Sequence, residues 1–326
     1  MKLTKKRLIV IALTLITVIF IGLLYLPEDI IGQRDDHLLL FLPKLLFLAF
    51  TATIVIVFIL LITFRNDYFK GQLQLFDRYK HYLKLLVKRD FNAKYRKSIL
   101  GVVWSLLNPI LTMIVMSLVF SYFFRFDIPN FPVYLLSGLL IYNFFSESTT
   151  MAMTSVIAGE GVIKKIYVPK YMFPLSRVIS SLVNLAFTLI SFFLVFIFTG
   201  AEFTWTMILL PIPLLYVFIF SLGVAMMISS LTVFFRDLTY LYGIFTLMLM
   251  YFTPIFWPVS MLSPEIAPII GLNPLFQFVM YFRQLALWGT IPDLWSNMVC
   301  LGYALAALCL GTYIFMRQQD RYILSL

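Results

Sequence analysis

Long apolar runs separated by short polar stretches dominate the pattern of this 326-residue chain. A helix of about 20 apolar residues crosses the roughly 30 Å hydrocarbon layer of a bilayer. Eight runs come close to that length or exceed it: 8–26, 38–64, 99–124, 133–157, 175–200, 207–233, 238–258 and 295–316. The pattern therefore predicts an all-α integral membrane protein with about eight transmembrane helices.

A regular apolar stripe precedes the third run, in the segment "LFDRYKHYLKLLV". Its members recur at the helical spacings of three and four: Leu75, Phe76, Tyr79, Tyr82, Leu83, Leu86 and Val87. Asp77, His81, Lys84 and Lys88 lie on the opposite face. The segment is therefore predicted to be an amphipathic helix in the membrane interface, with its cations toward anionic headgroups. A solvated linker is the alternative.

The chain divides into three parts on this pattern. Residues 1–70 form an additional two-helix membrane unit, residues 71–98 the basic interfacial helix, and residues 99–326 a six-helix membrane domain. The first span follows a basic start, as in a signal peptide, but no small-residue cleavage site follows it. We expect this span to remain as an anchor.

Basic residues are distributed unevenly between the two sides that the spans define. The chain is 62% hydrophobic and 12% charged, with a formal net charge of +10. With both termini in the cytoplasm, all but four of the 25 lysines and arginines lie on the inner side; the exceptions are Arg34, Lys44, Arg125 and Arg283. The positive-inside rule favours this orientation and explains the charge without a nucleic-acid partner.

The basic residues are densest where the interfacial helix meets the third run. Five cations occur between residues 88 and 97: Lys88, Arg89, Lys94, Arg96 and Lys97. They would hold the start of the span at the cytoplasmic surface. Inside the span, Pro109 loosens the backbone and favours a bend.

The sequence from this basic cluster onward resembles a known family. The stretches "RDFNAKYRKSILGVVWSLLNPILTMIV", "LLSGLLIYNFFSESTTMAMTSVI", "GVIKKIYVPKYMFPLSRVISSLVN", "SSLTVFFRDL", "TPIFWPVSML" and "GLNPLFQFVMYFRQLAL" carry the likeness. In order and spacing they are similar to the permease subunit of ABC-type polysaccharide exporters, the O-antigen and teichoic acid exporter family. The likeness covers roughly residues 75–326 and leaves 1–70 as an addition.

This resemblance implies a six-helix channel subunit that moves an undecaprenyl-type lipid-linked polysaccharide outward across the bacterial cytoplasmic membrane. The chain contains no G-x-x-x-x-G-K-[ST] phosphate loop. The resemblance implies instead that a separate ABC ATPase subunit uses ATP and Mg²⁺, with two permeases and two ATPases in the assembly. This chain is expected to bind no cofactor or metal, to form a homodimer and to contact membrane lipids.

The cytoplasmic loop "AGEGVIKKIYVPKYMFP" is the best candidate for contact with that ATPase. Gly159 and Gly161 are expected to break the preceding helix, and Pro169 and Pro174 to bound a short rigid piece. In the family this loop is similar to a coupling helix. The candidate coupling residues are Gly161, Val162, Ile163, Lys164, Lys165, Ile166, Tyr167 and Pro169. A basic loop that only sets topology is the alternative.

Two further features of the inner side bear on this contact. Lys170-Tyr171 stands where family members commonly carry a charged pair. A second inner loop contains Arg236 and Asp237, which we interpret as a helix-capping pair with a secondary role in ATPase contact.

One acidic residue, Glu147, lies inside the fourth apolar run. An ionisable group at that depth is costly unless it is paired, hydrogen-bonded or hydrated. Hydroxyl groups of Ser146, Ser148, Thr149 and Thr150 surround it in the sequence. Two interpretations remain open: a position beside a hydrated path or in a polar interhelix contact, and a satisfied structural carboxyl nearer the surface.

Aromatic residues make up 17% of the chain. Their faces can stack on sugars, so those in the third and seventh spans, which the resemblance favours as channel walls, are candidates for a polysaccharide path. The candidates are Trp104, Tyr122, Tyr240, Tyr242, Phe245, Tyr251 and Phe252. Lipid-facing or interfacial positions are the alternative for each of them.

The segment between the last two spans is apolar but interrupted by prolines. Pro258, Pro264, Pro268 and Pro274 divide it into short pieces. A pair of short re-entrant helices in the outer leaflet fits this pattern. In the family this segment is similar to an outer gate beside the channel exit.

Three function classes are compatible with a polytopic membrane protein of this kind. The leading one is the non-catalytic transport subunit. An integral-membrane glycan transferase would need an acid-base or metal cluster, whereas the outer acids are scattered and the histidines are His37 and His81. An ATP-independent flippase would usually need more spans.

Overall fold

The computed structural model describes residues 66–95, 101–120, 128–263 and 265–322. The chain divides into two compact units, Met1–Gln74 and Leu75–Leu326. Within the described residues all regular secondary structure is helical, which confirms the predicted all-α class. The predicted spans 8–26 and 38–64 lie outside the described residues.

The α-helices of the described residues follow one another along the chain with short connections. They are α1 (Asn66–Tyr95), α2 (Gly101–Val119), α3 (Phe131–Met153), α4 (Ser155–Ala158), α5 (Glu160–Ile163), α6 (Met172–Phe198), α7 (Pro211–Phe234), α8 (Leu238–Phe252), α9 (Ala267–Gly271), α10 (Pro274–Ala286) and α11 (Leu294–Gln318). Short 3-10 helices occupy Trp205–Leu209, Val259–Met261 and Gln319–Arg321.

Three helical stretches of the described chain are long and apolar enough to cross a membrane: Met172–Phe198, Trp205–Phe234 and Leu294–Arg321. Two further apolar helices, Val103–Val119 and Leu238–Phe252, are shorter. The sequence predicted that the span containing α8 would continue to residue 258, but the helix ends at Phe252. Thr253 is extended, with φ −99° and ψ 134°, because a residue before a proline avoids the helical region.

Helix α3 forms the centre of the core. It is buried along most of its length and packs against α6 and α7. Helix α7 in turn packs along α11. A Cβ atom added at Gly223 of α7 would lie 2.2 Å from the Ala307 carbonyl carbon, and one at Gly311 of α11 would lie 1.9 Å from the Gly223 carbonyl oxygen. The two backbones therefore touch, which only glycine permits.

The proline-rich segment after α8 is divided into short helical pieces, at Val259–Met261, Ala267–Gly271 and Pro274–Ala286. Their predicted re-entrant position in the outer leaflet stays a prediction. The Asn273 side chain caps α10 by accepting a hydrogen bond from the Leu275 amide at 3.0 Å. Asp293 caps α11 in the same way, through the Ser296 amide at 3.1 Å. Pro264 and the side chain of Pro268 lie outside the described part.

Candidate functional site

A polar cavity of about 820 Å³ opens where the end of α1 meets α2, α3 and α6. Its walls combine amides, hydroxyls, an ion pair and an indole ring. The lining residues are Lys94, Tyr95, Trp104, Ser105, Asn108, Pro109, Asn143, Ser146, Glu147, Thr150, Met151, Asn184 and Thr188. Three features that the sequence singled out separately, the basic cluster, Trp104 and Glu147, therefore share one site.

Glu147 is paired at the edge of this cavity. The Lys94 ammonium donates to Glu147 Oε1 at 2.8 Å, and the Asn184 amide donates to the same oxygen. The Glu147 side chain keeps 27% of its accessible surface. The carboxylate is thus paired with Lys94 of α1 and hydrogen-bonded to Asn184 of α6, and it still faces the cavity. This position has features of both interpretations drawn from the sequence, the polar interhelix contact and the satisfied structural carboxyl.

Tyr95 extends this contact to α2. Its hydroxyl donates to the Asn184 side-chain oxygen and accepts a hydrogen bond from Ser105 Oγ at 3.1 Å. The Tyr95 ring packs edge-on against Phe187 at a centroid distance of 6.0 Å. The last turn of α1 is therefore fixed to α2, α3 and α6 by one connected set of polar contacts.

A second polar contact joins α1 to α6, and sequence reasoning missed it. Asp90 is buried, and its carboxylate lies 3.0 Å from the Arg177 guanidinium and 3.1 Å from that of Arg89. One feature of the sequence could have pointed to this contact: Asp90 is the acidic residue within the basic stretch 88–97. Its partner on α6 could not be read from the sequence because the two residues meet only through packing.

The apolar stripe of α1 packs against protein in its C-terminal half, whereas Phe76 near its start is exposed. Leu83 and Leu86 are buried, and the Tyr82 ring lies edge-on to Phe173 at 6.5 Å. Burial raises the pKa of Tyr82, and the charge of Arg89 opposes that rise. Lys84 and Lys88, on the opposite face, are exposed. Arg96 and Lys97, the other members of the basic cluster, lie outside the described residues.

The predicted coupling loop is anchored at both ends and exposed between them. Ile163 and Val168 are buried in one cluster with Phe173, whereas Ile166 and Tyr167 keep 55% and 75% of their surface. The Tyr79 hydroxyl donates to the Tyr167 carbonyl at 2.9 Å, which ties the loop to α1. The loop therefore projects an apolar tip from a fixed base.

The remaining loop candidates surround this tip. Lys164 pairs with Glu160 at 2.6 Å across α5, and Lys165 is exposed. The prediction that both glycines break the helix was wrong for Gly161, which lies inside α5 and faces open space. Gly159 separates α4 from α5, and a Cβ atom there would meet the Phe173 ring at 2.5 Å. Val162 is partly buried beside the same cluster, and Pro169 accepts through its carbonyl from the Met172 amide at 3.1 Å.

Lys170, where the sequence departs from the family pattern, turns toward the end of the chain. Its ammonium donates to the Gln319 carbonyl and lies 5.6 Å from the centroid of the Tyr322 ring. Burial lowers the pKa of Lys170, and the charge of Asp320 opposes that shift. This lysine therefore ties the base of the loop to the segment after α11.

The second inner loop is exposed at Phe235, Arg236 and Asp237. Asp237 occupies the N-cap position of α8, but its side chain accepts no capping hydrogen bond. The capping half of the interpretation was therefore wrong. The Arg236 carbonyl provides the local contact instead, accepting from the Thr239 hydroxyl at 2.9 Å.

The aromatic candidates divide by exposure. Trp104 lines the polar cavity, and four others are exposed along α8: Tyr240, Phe245, Tyr251 and Phe252. Tyr242 is different, because it is buried and its hydroxyl donates to Thr149 Oγ1 at 2.7 Å. It fastens α8 to α3 and is not exposed for channel lining in this chain. Tyr122 lies outside the described residues.

Arg283 lies on α10 and is completely buried. Its guanidinium donates to the carbonyls of Pro254 at 2.6 Å and Tyr134 at 3.0 Å and to Ser137 Oγ at 3.1 Å. It also stacks over the Tyr134 ring, 3.4 Å from the centroid. The sequence counted Arg283 among the outer cations, and nothing in the sequence signalled its burial.

The sequence of this chain was compared with those of known protein families and individual proteins. Residues 81–287 match the sequence model of the ABC-2 type transporter family. This region contains the polar cavity, the coupling loop and Arg283.

Individual relatives align over most of the chain. An O-antigen export system permease protein, RfbA of Myxococcus xanthus, is 28% identical over 251 residues, which cover 76% of this chain and 96% of the relative. RfbA of Klebsiella pneumoniae is 32% identical over 214 residues, covering 64% and 81%. The polysialic acid transport protein KpsM of Escherichia coli is 22% identical over 260 residues, covering 77% and 98%.

Proposed function

The chain belongs to the ABC-2 type transporter family, and from that premise we propose that it is the membrane-spanning subunit of an ATP-driven polysaccharide exporter. The relatives named as O-antigen export permeases and as a polysialic acid transport protein support a polysaccharide substrate. We propose a lipid-linked glycan such as an O-antigen or teichoic acid, moved across the bacterial cytoplasmic membrane with both termini of the chain in the cytoplasm.

The energy source in this proposal is a separate ABC ATPase. The chain contains no Walker-type phosphate loop, so ATP and Mg²⁺ would be bound by the partner. Two copies of this chain would assemble with two ATPases and form the channel between them. The exposed aromatic residues of α8 and the exposed apolar side of α2 are the surfaces that we assign to that channel and to the second copy.

The single observation that carries the coupling mechanism is the exposed tip of the loop on its buried base. Ile166 and Tyr167 offer apolar surface to an ATPase, while Ile163 and Val168 hold both ends of the loop in the core. A push on such a tip would move its base because the interior is closely packed.

The same push would reach the interfacial helix through α6. Phe173 packs with the base of the loop, and Arg177, one turn further along α6, pairs with Asp90 of α1. Helix α1 ends at Tyr95, and its last two residues, Lys94 and Tyr95, line the polar cavity. We propose that movement of the loop in this way changes the width of the cavity mouth on the cytoplasmic side.

Replacement of the exposed loop tip tests this function. The chain is purified with a candidate ABC ATPase from the same cells, and ATP turnover is measured with and without polymer. Tyr167→Ala removes the exposed ring but keeps the carbonyl that binds Tyr79, so the loop should stay folded. We expect the complex to form more weakly and polymer to lose its effect on ATP turnover.

Tyr313→Ala is the matched control, because Tyr313 is a half-exposed tyrosine on α11. It should behave as wild type. Unchanged coupling in Tyr167→Ala would contradict the role of the loop, and failure of any ATPase to associate with the wild-type chain would contradict the exporter assignment.

A further inference from the structure

The polar cavity contains hydrogen-bonding groups with no protein partner in the described part of the chain. Asn108 on α2 and Asn143 and Thr150 on α3 are exposed, and their side chains make no hydrogen bond to any described residue. Amide and hydroxyl groups on membrane helices are costly to leave unpaired in hydrocarbon. Their position in one cavity therefore indicates a polar occupant that supplies both donors and acceptors.

The charge of the cavity distinguishes between classes of occupant. Among the described lining residues, Lys94 is the only one with a positive charge. That charge is already neutralised by the Glu147 carboxylate, 2.8 Å from the Lys94 ammonium. A phosphate or pyrophosphate would have to displace that carboxylate from the lysine, and the carboxylate would repel it. The net charge of the wall favours an uncharged ligand.

The remaining chemistry of the wall suits a sugar. Side-chain amides both donate and accept, as ring hydroxyl groups require. The Trp104 indole is half-exposed at the same cavity and offers an apolar face on which a sugar ring can stack. The volume of about 820 Å³ lies within the range of small-molecule sites.

We propose that this cavity is a sugar-binding subsite, which takes one or a few uncharged sugar residues of the exported polymer and not its pyrophosphate. The inference rests on the proposed function for the identity of the polymer. The subsite lies next to Lys94, at the end of the interfacial helix, so the wall that recognises the sugar also includes the ion pair that fixes α1 to α3. Sugar binding and the position of the interfacial helix are thereby linked.

A binding measurement on the full chain without ATPase tests the subsite apart from transport. The chain is reconstituted in lipid nanodiscs and titrated in a calorimeter with polymer from the producing cells, released from its lipid by mild acid so that no pyrophosphate remains. Inorganic pyrophosphate is titrated separately and as a competitor. We expect the wild-type chain to bind the released polymer and pyrophosphate to leave that binding unchanged.

Two side-chain changes identify the cavity as the place of binding. Trp104→Ala and Asn143→Ala remove groups that are exposed, so the fold should tolerate both. Each should weaken binding by about tenfold, the effect of one lost stacking or amide contact. Trp205→Ala is the matched control, because Trp205 is 87% exposed and lies outside the cavity lining. It should bind as wild type.

Several results would overturn the proposal. These are competition by pyrophosphate, absence of polymer binding by the wild-type chain, and wild-type affinity in both cavity variants. Loss of dimer in light scattering with unchanged affinity would instead assign Trp104 and Asn143 to a contact with a second copy. If the variants keep wild-type affinity while the reconstituted exporter still moves polymer, the subsite fails and the exporter assignment stands. If polymer binds at the cavity but the reconstituted chain and ATPase do not move it, the subsite stands and the exporter assignment fails.

Discussion

At the scale of single residues, Glu147 shows what a sequence can reveal about a charge in a membrane helix. An acid inside an apolar run is visible by inspection, and its cost predicts that a partner exists. The identity of the partner was not predictable, because Lys94 lies 53 residues away and meets Glu147 only after α1 packs beside α3. The same holds for Asp90, whose partner Arg177 lies on α6 and meets it only in the folded chain.

The first prediction concerns this ion pair. Lys94→Met leaves the Glu147 carboxylate with Asn184 as its remaining described partner, so the melting temperature of the purified chain should fall. Lys94→Met with Glu147→Gln should recover part of that loss, with a coupling energy of about 0.5 to 3 kcal/mol. The control is Lys80→Met, because the Lys80–Asp77 pair is exposed and should contribute little. Simple additivity of the two changes would contradict this account.

The second prediction concerns Arg283, whose three hydrogen bonds hold α10 to α3 and to the segment after α8. Arg283→Met should destabilise the chain by roughly 2 to 5 kcal/mol, because buried carbonyls lose a charged donor. Arg283→Lys should restore little, since an ammonium cannot reproduce the planar fork. Chemical unfolding in detergent measures both. Arg317→Met, at an exposed position on α11, is the control, and a small effect at Arg283 would refute the assigned role.

At the scale of elements, apolar periodicity located the helices better than it located their ends. The runs at 175–200 and 295–316 correspond to α6 (Met172–Phe198) and α11 (Leu294–Gln318). The run at 238–258 is longer than α8, which ends at Phe252. Apolar residues continue past Pro254, but a proline has no amide hydrogen with which to continue the helical hydrogen bonds. Similarly, Tyr242 could not be separated from its exposed neighbours on α8, since only packing determines which side of the helix meets α3.

The third prediction concerns the contact of α7 with α11. Gly311→Ala should separate the two helices, because the new methyl group would meet the Gly223 carbonyl rather than a movable side chain. We expect the free energy of unfolding to fall by about 1 to 3 kcal/mol, which would be measured as a lower melting temperature. Gly243→Ala is the matched control, since Gly243 also lies in an apolar helix but has open space around it. It should be neutral or slightly stabilising, and an equal effect at the two sites would show that the close contact is unimportant.

At the scale of the whole molecule, ordered sequence motifs predicted the family, and the match over residues 81–287 confirms it. The cavity was not predictable, because it is made by α1, α2, α3 and α6 together and its members are far apart in sequence. The spatial relation between the coupling loop, the Arg177–Asp90 contact and the cavity likewise exists only in the folded chain. From that relation we propose that ATP hydrolysis changes the width of the cavity mouth.

Movement of polymer in sealed proteoliposomes tests that claim most directly. The chain and its ATPase are reconstituted with lipid-linked polymer on the ATPase side, and polymer reaching the opposite side is measured with ATP, without ATP and with Tyr167→Ala. If the loop transmits ATP hydrolysis to the cavity, movement of polymer will require ATP hydrolysis and be lost in the loop variant. Movement without ATP, or none with both subunits active and correctly oriented, would contradict it.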